Sequence, residues 1–298
     1  MEKITRQAAV SLLPLRPDQA HKGDFGRVLV VAGSVTMCGA GLLCAKSALL
    51  TGAGKVYWAL PQPLQPAFAA ALPEVITCPL PTTPAAEISP AAWPVLQEKI
   101  EQIRPSLIVV GPGLGQSSLL PLLLSQVSLP LVLDADALNW LAQTKDFVFK
   151  QPVILTPHPG EMARLLGQGI ATDQAARLEQ VKQLAQLTKG VCILKGPSTL
   201  VAVCRGDGHI EVKQNTTGSV ALAKAGSGDV LAGIVAGLWA QQGTARGWTL
   251  DTAFEAACCG VYLHGLAGEL AAQEKSVYGV LASDTAAHIG AAIRQILN

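Results

Sequence analysis

The chain has 298 residues, half of them hydrophobic and only 14% charged, with 29 glycines, 19 prolines and a formal net charge of +1. That balance excludes a disordered or coiled-coil protein and describes a well-buried α/β enzyme. A charge so close to neutral gives no reason to expect nucleic acid or an acidic membrane surface as partner. The cysteines at 38, 44, 78, 192, 204, 258 and 259 form no CxxC and have no histidine at zinc-ligand spacing. Buried free thiols in a reducing cytoplasm are therefore expected. Residues 1–17 hold no apolar core long enough for a signal peptide, and the apolar runs elsewhere are too interrupted for a membrane span.

After a short amphipathic lead, His21-Lys22-Gly23-Asp24-Phe25-Gly26 precedes an apolar run from Arg27 to Gly33 that predicts a buried strand. The turn at His21, Lys22 and Asp24 either orders the entry to that strand or forms a lid. A small-residue loop follows, then a helix over 40–50, ended by Gly52 and Gly54, and a strand over 55–60. Strand, glycine loop, helix, strand is the rhythm of a parallel sheet. Residues 61–100 are rich in Pro and Ala and predict one or two helices with long loops. The rhythm resumes with apolar strands at 107–110, 131–133, 153–155 and 191–194, each running into a polar or glycine-rich turn. In open α/β sheets ligands sit at the carboxyl ends of strands, so these turns should converge on one site. Residues 199–203 and 210–212 read as a hairpin across a glycine turn, and helices are expected over 229–241, 252–272 and 283–296. With no repeat and no linker, residues 1–298 are expected to form a single domain.

The most informative stretch is Ala225-Gly226-Ser227-Gly228-Asp229, which opens a helical pattern. Glycines let a backbone approach a ligand closely, and the free first-turn N–H groups of a helix, with its dipole, make an anion hole for phosphate. Gly226, Ser227 and Gly228 are the expected anion hole. A side chain at Gly228 would crowd phosphate and disfavour positive φ. Asp229 is badly placed to bind phosphate but well placed as the general base for a hydroxyl attacking it; the competing reading is a plain loop with an N-cap. Ala232, Gly233, Ala236 and Gly237 recur at helical spacing and predict a helix pressed closely on its neighbours. No GxxxxGK[ST] occurs, and the glycines at 33, 39 and 41 and at 111, 113 and 115 both miss the GxGxxG spacing.

HKGDFGRVLVVAGS, VVGPGLGQ, LVLDADALN, ILTPHPGEMARLL, ILKGPSTLVA and AGSGDVLAGIVAGL follow one another from residue 21 to about 240. Together they resemble the ADP-dependent NAD(P)H-hydrate dehydratases, a branch of the ribokinase-like fold. The stretch before Gly226 departs from the glycine and Asn-Pro common in that family.

The resemblance implies a three-layer αβα domain with a mostly parallel central sheet. It also implies ADP-dependent removal of water from the S epimer of NAD(P)H hydrate, giving NAD(P)H, AMP and phosphate. Matching positions assign Ala40, Gly113, His158 and Asp229 to the hydrate, with Asp229 catalytic. Lys195, Gly196, Pro197, Ser198, Thr199 and Gly228 fall to the adenine nucleotide. Mg2+ is expected to bridge phosphates without an all-protein cage, and ADP to serve as phosphoryl-donor co-substrate. The stretch ahead of His21 is too short for the epimerase domain of many relatives, so an NAD(P)H-hydrate epimerase on another chain is the expected functional partner. A cytoplasmic homo-oligomer, a tetramer by resemblance, is also implied.

Several residues carry two readings. His158 caps the following helix or contacts ligand; Asp134 and Asp136 are N-caps or lie near magnesium. Lys195 is expected on phosphate or ribose rather than in a surface ion pair. His209, His264 and His288 are expected to be structural or exposed, without partners. A ribokinase-type kinase and a non-catalytic nucleotide-binding regulator are the competing functions.

Overall fold

The computed structural model describes residues 1–84 and 87–298. The elements run β1 (Glu2–Ile4), α1 (Arg6–Ser11), β2 (Arg27–Val31), α2 (Cys38–Leu50), β3 (Lys55–Pro61), α3 (Gln65–Ala71), β4 (Ile76–Leu80) and α4 (Ala92–Ile103). Then come β5 (Leu107–Val110), α5 (Leu119–Gln126), β6 (Leu131–Leu133), α6 (Asp136–Thr144), β7 (Val153–Leu155), α7 (Pro159–Leu166), α8 (Gln174–Thr188) and β8 (Val191–Leu194). The rest is β9 (Leu200–Cys204), β10 (Ile210–Asn215), α9 (Ser227–Arg246), α10 (Leu250–Gly279), α11 (Ala282–Ala287) and α12 (Ile289–Leu297).

The strands form one sheet in the order β1-β10-β9-β8-β7-β6-β5-β2-β3-β4. All pairings are parallel except β8 with β9 and β9 with β10, the expected hairpin region. Alternation along a strand sends successive side chains to opposite faces. In β2, Val28 and Val30, and Ala32 just beyond it, enter one core with α2, α9, α10 and α12, while Leu29 and Val31 enter a second with α4, α5, α6, α7 and α8. Two apolar faces, each roofed by helices, are the reason for three layers.

Strand order reverses between β2 and β5, which makes a crevice at the carboxyl ends of those strands. Helix α9 packs against α2 so closely that a Cβ on Gly233 would collide with the Cys44 carbonyl, and one on Gly237 would lie 2.6 Å from the Ala48 carbonyl oxygen. That is the close packing expected from the small-residue stripe. All seven cysteines are free, and all but Cys38 are buried.

Some boundaries differ from expectation. The amphipathic lead contains a strand, β1, and residues 61–100 contain another, β4; residues 85 and 86 of that region lie outside the described residues. Helix α9 begins at Ser227 rather than 229. Helix α10 spans 250–279 with a break at Ser276, whose φ is 66°. The last expected helix is two, α11 and α12.

Candidate active site

The site is built where β6, β7 and β8 end and α9 begins. The N-cap of α9 is Gly226, at φ 88°, a left-handed conformation that glycine adopts without strain. A Cβ there would also press to 2.7 Å from Leu43 Cδ1. Gly226 has no side chain with which to cap the first turn; the Ser227 N–H donates to the Lys224 carbonyl oxygen at 3.3 Å, and the Gly228 and Asp229 N–H groups are left for a ligand. Gly228 is ordinary helix; the positive φ expected there belongs to Gly226. What Gly228 supplies is room, since a Cβ would lie 3.1 Å from Lys195 Nζ and 3.7 Å from Asp134 Oδ2.

Lys195, at the end of β8, donates to Asp134 Oδ1 at 2.8 Å and lies 3.8 Å from Glu161 Oε2. Asp134, 1% exposed, also accepts from Thr156 Oγ1 at 2.7 Å. Glu161 Oε2 accepts from the His158 backbone N at 2.8 Å, while His158 Nδ1 accepts from the backbone N of Gly160 and Glu161. This is a reciprocal cap on α7. His158, Lys195–Thr199 and Gly226–Asp229 line one cavity of about 1020 Å3.

Three carboxylates, Asp134, Glu161 and Asp229, thus share one lysine. Burial first, then the charge on Asp134, pushes Asp229 up to about 7 against the pull of Lys195. Burial and Asp134 likewise push Glu161 up to about 7, again against Lys195. Burial works against the charge on Lys195, but the carboxylates outweigh it and its pKa is raised. Burial, Lys195 and Arg164 lower the pKa of His158, favouring the neutral ring. An acid that titrates near neutrality at a helix start is poised to accept a proton.

The expected residues fall into two groups. Those from 158, 195–199 and 226–229 meet in the cavity. Ala40 and Gly113 meet each other at the β2/β5 crevice, where a Cβ on Gly113 would lie 2.8 Å from Ala40 Cβ; they do not line that cavity.

Other readings are corrected. Neither Asp134 nor Asp136 is an N-cap: the cap of α6 is Ala135, and Asp136 accepts from the Gly115 backbone N at 2.8 Å. The Lys195 reading is not among them: its ion pair with Asp134 is buried rather than on the surface, and it faces the cavity. His158 both caps α7 and lines the cavity. His288 is not without partners, lying 2.8 Å from the Asp284 carbonyl oxygen and 3.0 Å from Glu274 Oε2. The His21–Asp24 turn packs on Gly54 at the amino end of β3, opposite the site, so it orders a strand entry and is no lid.

His264, on α10, was expected to lack a partner. It lies in the cavity wall with Nε2 3.2 Å from Ser227 Oγ, and burial pushes it down to about 4. A neutral imidazole there can orient the Ser227 hydroxyl. Ala135, at φ 49° between the two aspartates, is a second feature the sequence did not signal; strain in a non-glycine residue is often found at functional sites.

A mostly parallel three-layer sheet, reversing its strand order beside a glycine-capped helix start, defines a ribokinase-like α/β protein. A ribokinase-like protein from Enterococcus faecalis superposes with a TM-score of 0.80 at 25% identity over 99% of this chain and 96% of its own. The chain belongs to the NAD(P)H-hydrate dehydratase family, whose model matches residues 28–290.

It is 42% identical over 280 residues to a bifunctional NAD(P)H-hydrate repair enzyme of Moorella thermoacetica, covering 92% of this chain and 50% of that one. It is 36% identical to an ADP-dependent (S)-NAD(P)H-hydrate dehydratase of Neisseria meningitidis, covering 95% and 88%. The chain spans about half the length of the bifunctional relatives it matches. The ADP/ATP-dependent NAD(P)H-hydrate dehydratase of Bacillus subtilis, co-crystallised with ATP and Mg2+, superposes with a TM-score of 0.79 at 30% identity over 99% of this chain and 98% of that one.

Proposed function

We propose that the chain removes water from the S epimer of NAD(P)H hydrate at the expense of ADP, giving NAD(P)H, AMP and phosphate. The observation that carries this is Asp229, an acid titrating at about 7 in the first turn of α9, beside Gly228 and the buried Lys195. Asp229 takes the proton of the ring hydroxyl as its oxygen attacks the β-phosphorus of ADP. The N–H groups of the α9 start and the Lys195 ammonium hold the transferring phosphoryl. The bond from that phosphorus to the AMP oxygen breaks as the new one forms. The ring C–O bond then breaks with phosphate as leaving group, the ring nitrogen supplying the electron pair, and loss of a proton from the neighbouring ring carbon completes the ring double bond of NAD(P)H.

Lys195–Thr199 and Gly228 serve the adenine nucleotide, and Ala40, Gly113, His158 and Asp229 the hydrate. Among the described residues no group of three or more His, Cys, Asp or Glu could hold a metal by itself. Asp134, whose Oδ2 would lie 3.7 Å from a Cβ on Gly228 and accepts no hydrogen bond from the described residues, is the carboxylate that would help hold a magnesium ion beside the phosphates; when bound, the ion would neutralise charge on the phosphoryl group. Among the described residues no helix is long and apolar enough to cross a membrane. A cytoplasmic homo-oligomer, served by an epimerase on another chain, completes the proposal.

The purified protein, given NADH hydrate and magnesium, should restore dihydronicotinamide absorbance and release phosphate, faster with ADP than with ATP. Equal or faster rates with ATP would remove the nucleotide preference. A phosphorylated product accumulating without NADH would make the protein a kinase.

A further inference from the structure

Two glycines on α10 bring that helix hard against α9 and the loop that precedes it. A Cβ on Gly260 would lie 2.7 Å from Val235 Cγ2 of α9, and one on Gly265 would collide with Thr217. From the cavity wall, Asn215 Nδ2 and Thr217 Oγ1 donate to the Val261 and Tyr262 carbonyl oxygens of α10 at 3.1 and 2.9 Å. His264 is thereby held in place, with Nε2 3.2 Å from Ser227 Oγ. Both residues line the cavity that holds Asp229.

A serine and a histidine at that distance are also the start of a nucleophilic pair. Such a histidine needs a carboxylate on its far nitrogen and a pKa near the working pH. Among the described residues the histidines in ion-pair range of a carboxylate are His21, His158 and His288, and His264 is not one of them. Burial, opposed by the Ser227 backbone and aided by Lys195, keeps its ring neutral. His264 is no base for Ser227.

A neutral imidazole still carries one N–H. Ionised phosphate oxygens only accept, so a serine hydroxyl that faces them donates its proton to them and leaves its own oxygen free to accept. Nε2–H into Ser227 Oγ, then Oγ–H into phosphate, is the one direction in which both hydrogen bonds are made. Ser227 is the first residue of α9, and the free N–H groups of Gly228 and Asp229 follow it. We infer that the Ser227 hydroxyl is a side-chain donor to the transferring phosphoryl group beside those two N–H groups, and that His264 is the positioning residue that turns it there. This rests on the dehydratase reading and adds to its anion hole a hydroxyl and the histidine behind it.

The test uses Ser227→Ala, His264→Leu, His264→Gln and the double variant Ser227→Ala with His264→Leu, all in the whole chain. Losing one donor to developing charge costs up to about 10²–10³ in kcat, so Ser227→Ala should lower kcat on NADH hydrate about tenfold or more with KM for ADP within about threefold. His264→Leu should lose about as much. His264→Gln, whose amide keeps an N–H, should recover most of that loss. The double variant should be no slower than Ser227→Ala, because the histidine acts only through the hydroxyl. A histidine that only packs predicts the reverse, with Leu and Gln alike and a loss that multiplies with Ser227→Ala. Orthovanadate, a phosphoryl mimic, reads the same donor without turnover: calorimetry on the AMP-saturated protein should show it bound about tenfold more weakly by Ser227→Ala and by His264→Leu.

If wild type is active but Ser227→Ala keeps its kcat and its vanadate affinity, or the His264→Leu loss persists in full beside Ser227→Ala, the hydroxyl is not a donor set by His264 and the dehydratase reading stands. A wild-type protein that leaves NADH hydrate untouched removes the dehydratase reading. Vanadate affinity then decides alone, and an unchanged value in Ser227→Ala overturns the donor as well.

Discussion

At the scale of single residues, Asp229 is asked to be both buried and basic. Asp229→Asn keeps the shape and the helix start but removes the proton acceptor. Turnover should fall roughly 10²–10⁴-fold, the usual range for a lost general base, while AMP binding persists or tightens. In wild type, kcat/KM should fall on the acid side with an apparent pKa near 7 that belongs jointly to Asp229 and Glu161.

The same burial makes a prediction about stability. The folded-state pKa of Asp229 is raised from 3.8 to about 7. Its contribution to stability is therefore full below the unfolded value and lost as pH rises through the folded one. Asn suffers no such loss. The melting temperature of the variant relative to wild type should climb from about pH 4 to about pH 8; a difference that is flat with pH would show that Asp229 is not held neutral by the fold. A role limited to helix capping predicts near-normal turnover instead.

The elements of the interior were legible and those at the rim were not. Strands β2, β5, β6, β7 and β8 are buried on both faces and read as uninterrupted apolar runs. Both edges were missed: β1 has three residues, and β4 contains Pro79, which an edge strand tolerates because one of its sides needs no ladder. The site divides in a similar way. Glycines and charged residues clustered in short motifs named the cavity from residues 158 to 229. The Ser227–His264 contact joins two helices, and the rise at Glu161 depends on Asp134 and Lys195, so neither is visible along the chain.

The small-residue stripe on α9 was visible, and its consequence can be measured. Gly233→Ala sets a methyl group against the Cys44 carbonyl, and overpacking of that kind costs about 1–3 kcal/mol. Because α2 carries Ala40 and α9 carries Asp229, turnover should fall along with the denaturation midpoint. An unchanged midpoint would show that the two helices can part freely.

Over the whole molecule, apolar side chains remain in water on the side of α10 and the 220s loop: Val220 is 74% exposed, Tyr278 88% and Leu281 59%. Lys224 Nζ donates to the Tyr278 carbonyl oxygen and ties that loop to the end of α10. Exposed apolar groups gathered this way favour association, and the proposed homo-oligomer has a place to form. Light scattering of Tyr278→Glu combined with Leu281→Glu should give a smaller particle than wild type; an unchanged mass would move the interface elsewhere or remove it.

The pairing of β1 with β10 has a consequence for synthesis. Glu2–Ile4 leave the ribosome long before Lys213–Asn215, their partners, exist. Asn215 is part of the cavity wall and donates its amide to the Val261 carbonyl oxygen on α10, which is made later still and brings His264. A nascent chain that has already displayed its Gly-Ser-Gly-Asp loop therefore has no closed chamber around it. The chamber is walled only once α10 has been made.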